Sequence, residues 1–174
     1  MDRKQITMSD LLSLAHLWSE YWMALTSGDF TAEQFNAMAV GWGSVGMMWG
    51  RPFAQVAVRP DRYTFQFMEE YDSFTVSAFS DQFDTAVEIL GTQSGRDGDK
   101  IAAAGLTPID ASVVAAPCFA VAELVVECRK IYWQDLDPSH FLDAEIDTLY
   151  PEKNYHRVYF GEIIAITAVD SFPT

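Results

Sequence analysis

Arginine is scarce in this chain, and where it occurs it clusters. The stretch VRPDRYT, residues 58 to 64, sets Arg59 and Arg62 beside Tyr63 and Thr64. No Lys or Arg lies between Lys4 and Arg51, and none between Arg62 and Arg96. The second cluster is SGRDGDK, residues 94 to 100, with Ser94, Gly95, Arg96, Asp99 and Lys100. A guanidinium presents a planar fork of N–H donors that matches phosphate oxygens. Thr64 adds a hydroxyl. If it opens a helix, the first-turn N–H groups add partial positive charge. Backbone N–H groups beside Gly95 and Gly98 could face the same anion from the other side. The competing reading is two solvated turns, with Asp61, Asp97 and Asp99 as local ion-pair partners. The pattern alone leans slightly toward turns.

Other chemistries find less support. His16, His140 and His156 have no HxH or HxxxH spacing, so no metal site is expected. There is no GxSxG for a serine nucleophile. GWGSVG, residues 41 to 46, satisfies a bare GxGxxG, but the Met-Met-Trp-Gly-Arg-Pro that follows is a poor helix start for a dinucleotide fold. Trp42 and Trp49 could pack on a flat ring system or simply in the core. Asn36 could read the polar edge of a ring or cap a strand. His156 could donate a proton or touch substrate, although a half-exposed strand histidine is the commoner case. Cys118 and Cys128 lack a redox or metal spacing and read as packed thiols, with a disulfide between them left open.

The elements that must position these residues read as one mostly-β domain over 1–174. With 49% hydrophobic and 14% aromatic residues the chain has enough apolar surface for a core, which argues against disorder. Its net charge of −14 repels nucleic acid and anionic membranes, leaving a small-molecule or protein partner. The N-terminal MDRKQITMSD has no apolar run of the signal-peptide kind, and a cytoplasmic location is expected. Apolar spacing predicts helices over 8–18, 64–71 and 81–90, the last with Asp81 as N-cap and Gly91 as stop. It predicts a further short helix ending at Gly105 and a helical turn over 143–150. Strands are expected over 21–27 (ending at a Gly28-Asp29 turn), 53–58, 73–79, 122–135 and 156–170, the last bulged at Gly161. Strands in series with short helices between them suggest a β-barrel with helical insertions.

Taken together, FNAMAVGWGSVGMMWGRPFAQVAVRPDRYT, FTVS, ILGTQSGRDGDKIAAAGLTP, LVVECRKIYWQDLDP and YHRVYFGEI, in this order, resemble the flavin reductase-like family with an FMN-binding split barrel. The flavoredoxin-type branch is the nearest, and the resemblance runs from about Trp22 to about Ile166. It implies a split β-barrel, FMN as cofactor and a homodimer with FMN near the subunit interface. By the same resemblance Asn36, Met38, Ala39, Val40, Gly41 and Trp42 run along the flavin and ribityl chain. Arg59, Arg62, Tyr63 and Thr64 match the phosphate side, and Ser77 matches a strand position beside the cofactor. Ser94, Gly95, Arg96, Asp99 and Lys100 match the loop that closes over it. One position departs: many members carry Thr where this chain has Ala39, removing a hydrogen bond to flavin worth about 0.5–1.5 kcal/mol.

The implied activity is an FMN-dependent oxidoreductase, taking electrons from NAD(P)H or a redox partner and passing them to flavin or another acceptor. Hydride transfer needs no nucleophile or general base, so His156 is the only catalytic candidate. Two alternatives stand beside it. One is an electron carrier without NAD(P)H oxidation, whose acidic surface docks a basic partner. The other is a flavin-free ligand-binding barrel, which Ala39 favours.

Overall fold

Alternating patterns broken by Gly, Pro and Asp turns give antiparallel strands. The computed structural model describes residues 3–6, 18 and 23–172. The helix expected over 8–18 lies outside these residues except for Trp18, which is helical. The strands are β1 (Arg3–Gln5), β2 (Met23–Asp29), β3 (Gln34–Val40), β4 (Gly43–Met48), β5 (Arg51–Val58), β6 (Ser73–Ala78), β7 (Pro108–Ile109), β8 (Cys118–Phe119), β9 (Leu124–Asp135) and β10 (Arg157–Val169). The helices are α1 (Tyr63–Glu70), α2 (Asp84–Thr92), α3 (Lys100–Ala103) and α4 (Ala144–Thr148).

The main sheet runs β3-β2-β6-β9-β10-β5-β4, with β1 added beside β10, and the pairings are antiparallel. The first strand in this order shares a core with the next-to-last: Met38 and Val40 of β3 pack in the same buried cluster as Ala54, Val56 and Val58 of β5. The sheet has therefore curled back over one core without its end strands pairing, which makes it a split barrel. A second buried cluster lies under α2, where Ala86, Val87 and Leu90 meet Ala24, Ala37 and Phe119. Burying one such Leu or Phe contributes about 1.5–3 kcal/mol.

Three expected turn, cap or stop signals act differently from the sequence reading. β2 runs through Gly28-Asp29, and the reversal comes later, where Glu33 N–H donates to Phe30 C=O at 3.1 Å. Asp81 does not cap an α-helix; it begins a 3-10 turn (Asp81–Phe83), and α2 starts at Asp84. Gly91 does not stop α2 but lies inside it, because a Cβ there would come within 3.0 Å of Ala39 Cβ. Gly91 lets the helix lie close on β3. At Gly161 the expected irregularity is present: the β9–β10 register shifts between Phe160 and Gly161. A side chain at Gly161 would meet the Phe74 ring at 2.6 Å and Cys128 Cβ at 2.7 Å. No disulfide joins Cys118 and Cys128, and both are buried.

Candidate functional site

The site is built where β5 hands over to α1. Arg62 N–H donates to Arg59 C=O at 3.1 Å, closing the turn around Pro60 and Asp61. Arg62 is then the N-cap of α1, with extended backbone and no side-chain cap. Phe65 N–H turns back to Arg62 C=O at 3.0 Å, the N–H groups of Tyr63 and Thr64 have no side-chain cap, and these two residues line a cavity of about 420 Å³ there. Thr64 is buried, and its Oγ1 accepts from Asn36 Nδ2 at 2.7 Å. Its own hydroxyl proton is left to point elsewhere.

The second cluster faces the first across this cavity. Lys100 is buried, and its Nζ donates to Leu90 C=O at 2.8 Å and to Gln93 C=O at 3.2 Å, closing the C-terminal end of α2. Burial, and then the nearby Arg62 charge, lower its pKa to about 8. Arg96 lies 5.0 Å over the Tyr63 ring and donates to Asp61 C=O at 3.0 Å. Ser94 lines the same cavity, and its Oγ accepts from Arg96 N–H at 3.2 Å. Arg59, Arg62, Arg96 and Lys100 thus bring four cationic side chains around one cavity. Among the described residues no ion pair joins these arginines to Asp61, Asp97 or Asp99, which is what the solvated-turn reading required.

A hollow of about 220 Å³ continues from this cavity, sharing Met38, Arg59 and Arg62 with it. It is lined by Ala39, Val40, Gly41, Trp42, Ala57 and His156. Among the described residues β3 ends the sheet order, and no strand of theirs pairs with its outer edge. Apart from its chain neighbours, no atom of the described residues comes within 4 Å of where a Cβ would stand on Gly41. His156 is buried, its Nδ1 is 2.8 Å from Tyr150 Oη, and its ring centroid is 4.7 Å from that of Trp42. Burial, with the Arg59 charge next, lowers its pKa to about 4. It is therefore neutral at pH 7, able to accept or donate a hydrogen bond but not to act as an imidazolium acid.

Four sequence candidates sit differently. Asn36 is buried and bonded to Thr64, so it braces the helix start instead of lining either of these two spaces. Gly95 rests directly on it: a Cβ on Gly95 would come 2.3 Å from Asn36 Oδ1 and 2.8 Å from the Tyr63 ring. Asp99 caps α3, accepting from Ile101 and Ala102 N–H, and with Asn36 and Gly95 it borders a neighbouring hollow. Ser77 is fully buried in β6, and its Oγ finds no partner among the described residues. The sequence reading missed Asn154 and Tyr150, which approach Arg59 from a strap between β9 and β10. Nothing local marks them, since they lie some ninety residues from the arginine they serve.

The flavin reductase-like domain family matches residues 22–171. The chain belongs to this family. No curated protein matches the sequence. Among solved structures, a domain described as FMN-binding from a flavin reductase-like enzyme of Shewanella baltica OS155 superposes with a TM-score of 0.70 at 16% identity, covering 96% of this chain and 77% of the other. A flavoredoxin of Desulfovibrio vulgaris (Miyazaki F) gives 0.66 at 23% identity, covering 86% and 70%. Nitrilotriacetate monooxygenase component B of Bacillus cereus gives 0.67 at 15% identity, covering 96% and 79%. At these identities the likeness is one of fold. Within this flavin reductase-like domain, the described residues include no helix long and apolar enough to cross a membrane and no His, Cys, Asp and Glu cluster fit to hold a metal.

Proposed function

We propose that this chain binds FMN and works as an FMN-dependent oxidoreductase, taking electrons from NAD(P)H or a redox partner and passing them to flavin or another acceptor. One observation carries the reading: the uncapped start of α1, Arg59, Arg62, Thr64 and Lys100 surround a cavity that opens onto the Met38–Trp42 end of β3. The donor set suits a phosphate dianion, with helix N–H groups, guanidinium forks and an ammonium on one space. The outer edge of β3, where no described strand pairs, offers backbone groups to the polar side of a flat ring. Bound flavin would supply the redox chemistry, and the protein's part is to hold it and set its electrostatics. His156 would bear on the ring end as a neutral group. Ala39 offers that end no hydroxyl. We extend the proposal to a homodimer with FMN near its interface, which the exposed Met47, Met48, Trp49 and Tyr132 support as an apolar surface needing cover.

The test begins with colour. The purified protein, or protein incubated with FMN, should show a flavin absorbance band that NADH or NADPH bleaches within seconds under anaerobic conditions. Failure both to carry and to take up FMN overturns the proposal. A second reading, the protein-to-protein electron carrier, is favoured by the charge of −14, which would steer docking to a basic partner. Slow bleaching by both nicotinamides with fast reduction by a redox protein would select it.

The pH dependence follows from Lys100. Its folded pKa of about 8 lies below that of an exposed lysine. Between those two values the unfolded chain holds a proton that the folded chain has released, so stability without ligand rises with pH across that window. A phosphate beside Nζ does the opposite and holds the proton on. FMN binding at about pH 8.5 should therefore take up protons, and FMN affinity should fall as pH rises further. Calorimetry in two buffers of different ionisation enthalpy reads this directly. Riboflavin, or the Lys100→Met variant, should show no such uptake.

A further inference from the structure

The cationic cavity contains one carboxylate, and the way it is kept occupied is informative. Asp61 is two residues from Arg59 and lines the same cavity. Yet Arg59 makes its contacts elsewhere. Its Nη1 donates to Asn154 Oδ1 at 2.8 Å, its Nη2 to Leu149 C=O at 3.0 Å, and its guanidinium lies 4.9 Å over the Tyr150 ring. Asp61 Oδ2 in turn accepts from Asn154 Nδ2 at 2.5 Å. A single amide thus stands between guanidinium and carboxylate. Its oxygen faces the cation and its nitrogen faces the anion, which is the orientation in which both contacts attract.

We propose that Asn154 is a positioning residue for the phosphate seat, holding Arg59 apart from Asp61 so that the guanidinium charge stays available to an anion. The inference rests on the FMN phosphate reading given above. Opposite charges in contact attract even near a surface, so a direct Arg59–Asp61 pair would compete with an incoming phosphate. An amide prevents that pairing without adding charge. An aspartate there would neutralise Arg59 itself, and an alanine would leave Arg59 and Asp61 to each other. The backbone is shaped to deliver this side chain: Lys153 N–H donates to Tyr150 C=O at 3.0 Å, and Lys153 takes a φ of 53° just before Asn154. The strap that carries it is anchored by Tyr150, which is buried and bonded to His156. One strap therefore serves both ends of the cleft.

The experiment is a titration of FMN and riboflavin into the full chain and its Asn154→Ala, Asn154→Asp and Asn154→Ala/Asp61→Asn variants. Asn154→Ala should raise the FMN Kd about tenfold and Asn154→Asp about a hundredfold, with riboflavin moving less than about twofold. Adding Asp61→Asn to Asn154→Ala should restore FMN affinity to within about threefold of the parent, because no carboxylate remains to take Arg59. Equal weakening toward FMN and riboflavin would mean a merely structural role and overturns the proposal, as does failure of Asp61→Asn to rescue. The parent is its own control. A parent without preference for FMN over riboflavin overturns the phosphate reading and this proposal together. A parent with that preference and an unaffected Asn154→Ala overturns the role of Asn154 alone.

Discussion

Replacing Arg62 by alanine should weaken FMN binding by about 100-fold, leave riboflavin within about twofold and keep the chain folded. The asymmetry is the point of the prediction. Arg62 lines the phosphate-side cavity, and its position as N-cap puts it at the mouth of the helix start. A charge-assisted hydrogen bond to a phosphate is worth about 1.5–3 kcal/mol, and loss of one such bond spans tenfold to a hundredfold in affinity. We place Arg62 at the upper end because burial leaves Lys100 less firmly protonated, so Arg62 is the more dependable cation facing the cavity. The structural side effect is small. Arg62 Nη1 donates to Gly91 C=O at 2.7 Å in the last turn of α2, and losing that bond costs about 1 kcal/mol. Isothermal titration with the two ligands, beside a thermal melt, separates the effects. An Arg62→Ala variant that holds FMN as tightly as the parent would place the phosphate elsewhere.

Arg59→Ala is a less clean test. Arg59 makes two hydrogen bonds and a ring contact to the strap, so its removal loosens the segment carrying Asn154, Tyr150 and His156. Riboflavin affinity should fall with it, whereas Arg62→Ala should spare it. The difference comes from which element each arginine touches besides the cavity, and it was hidden from the sequence, where the two stand in one motif.

The contrast between legible and hidden features runs along the same line. Scarce charge made Arg59, Arg62, Arg96 and Lys100 conspicuous in two short segments, but that pattern alone leaned toward turns, and it was the wider family signature that turned it into an anion seat. The barrel was legible for a similar reason: strand pattern is a local property, and so is the family signature. What stayed hidden depends on contacts between distant segments. Asn36 resembles a ligand-reading amide in sequence, but Thr64 occupies its side chain. Gly91 resembles a helix stop, but it is the flat face on which α2 meets β3. His156 resembles a titrating group, and only burial beside Arg59 shows that it stays neutral. Asn154 had no motif at all, because an amide becomes significant only when the fold sets it between two charges.

Glu127 shows the same principle in the scaffold and should produce the largest loss of stability of the changes discussed here. A charged residue is ordinarily found at the surface, yet Glu127 is only 2% exposed. Its carboxylate is accommodated because donors come to it from a single upstream loop. Ser112 N–H and Oγ donate to Oε1 at 2.9 and 2.6 Å, Val113 N–H to Oε2 at 2.8 Å, and Val114 N–H to Oε2 at 3.3 Å. The same loop goes on to bond β2's end through Phe30 N–H to Ala115 C=O, and β6 through Thr75 Oγ1 to Pro117 C=O. Glu127→Ala strands three backbone N–H groups and a hydroxyl, although water can reach the exposed side of the loop. We therefore expect a loss of about 3 kcal/mol, or roughly 6–12 °C in Tm for a chain of this size. Glu127→Gln should recover only part of it, because one amide oxygen can accept but the NH2 group faces donors. The loop does not line the cationic cavity, so FMN affinity at low temperature should be unchanged in both variants. A melt of Glu127→Ala within about 1 °C of the parent would show that the loop docks without its carboxylate anchor.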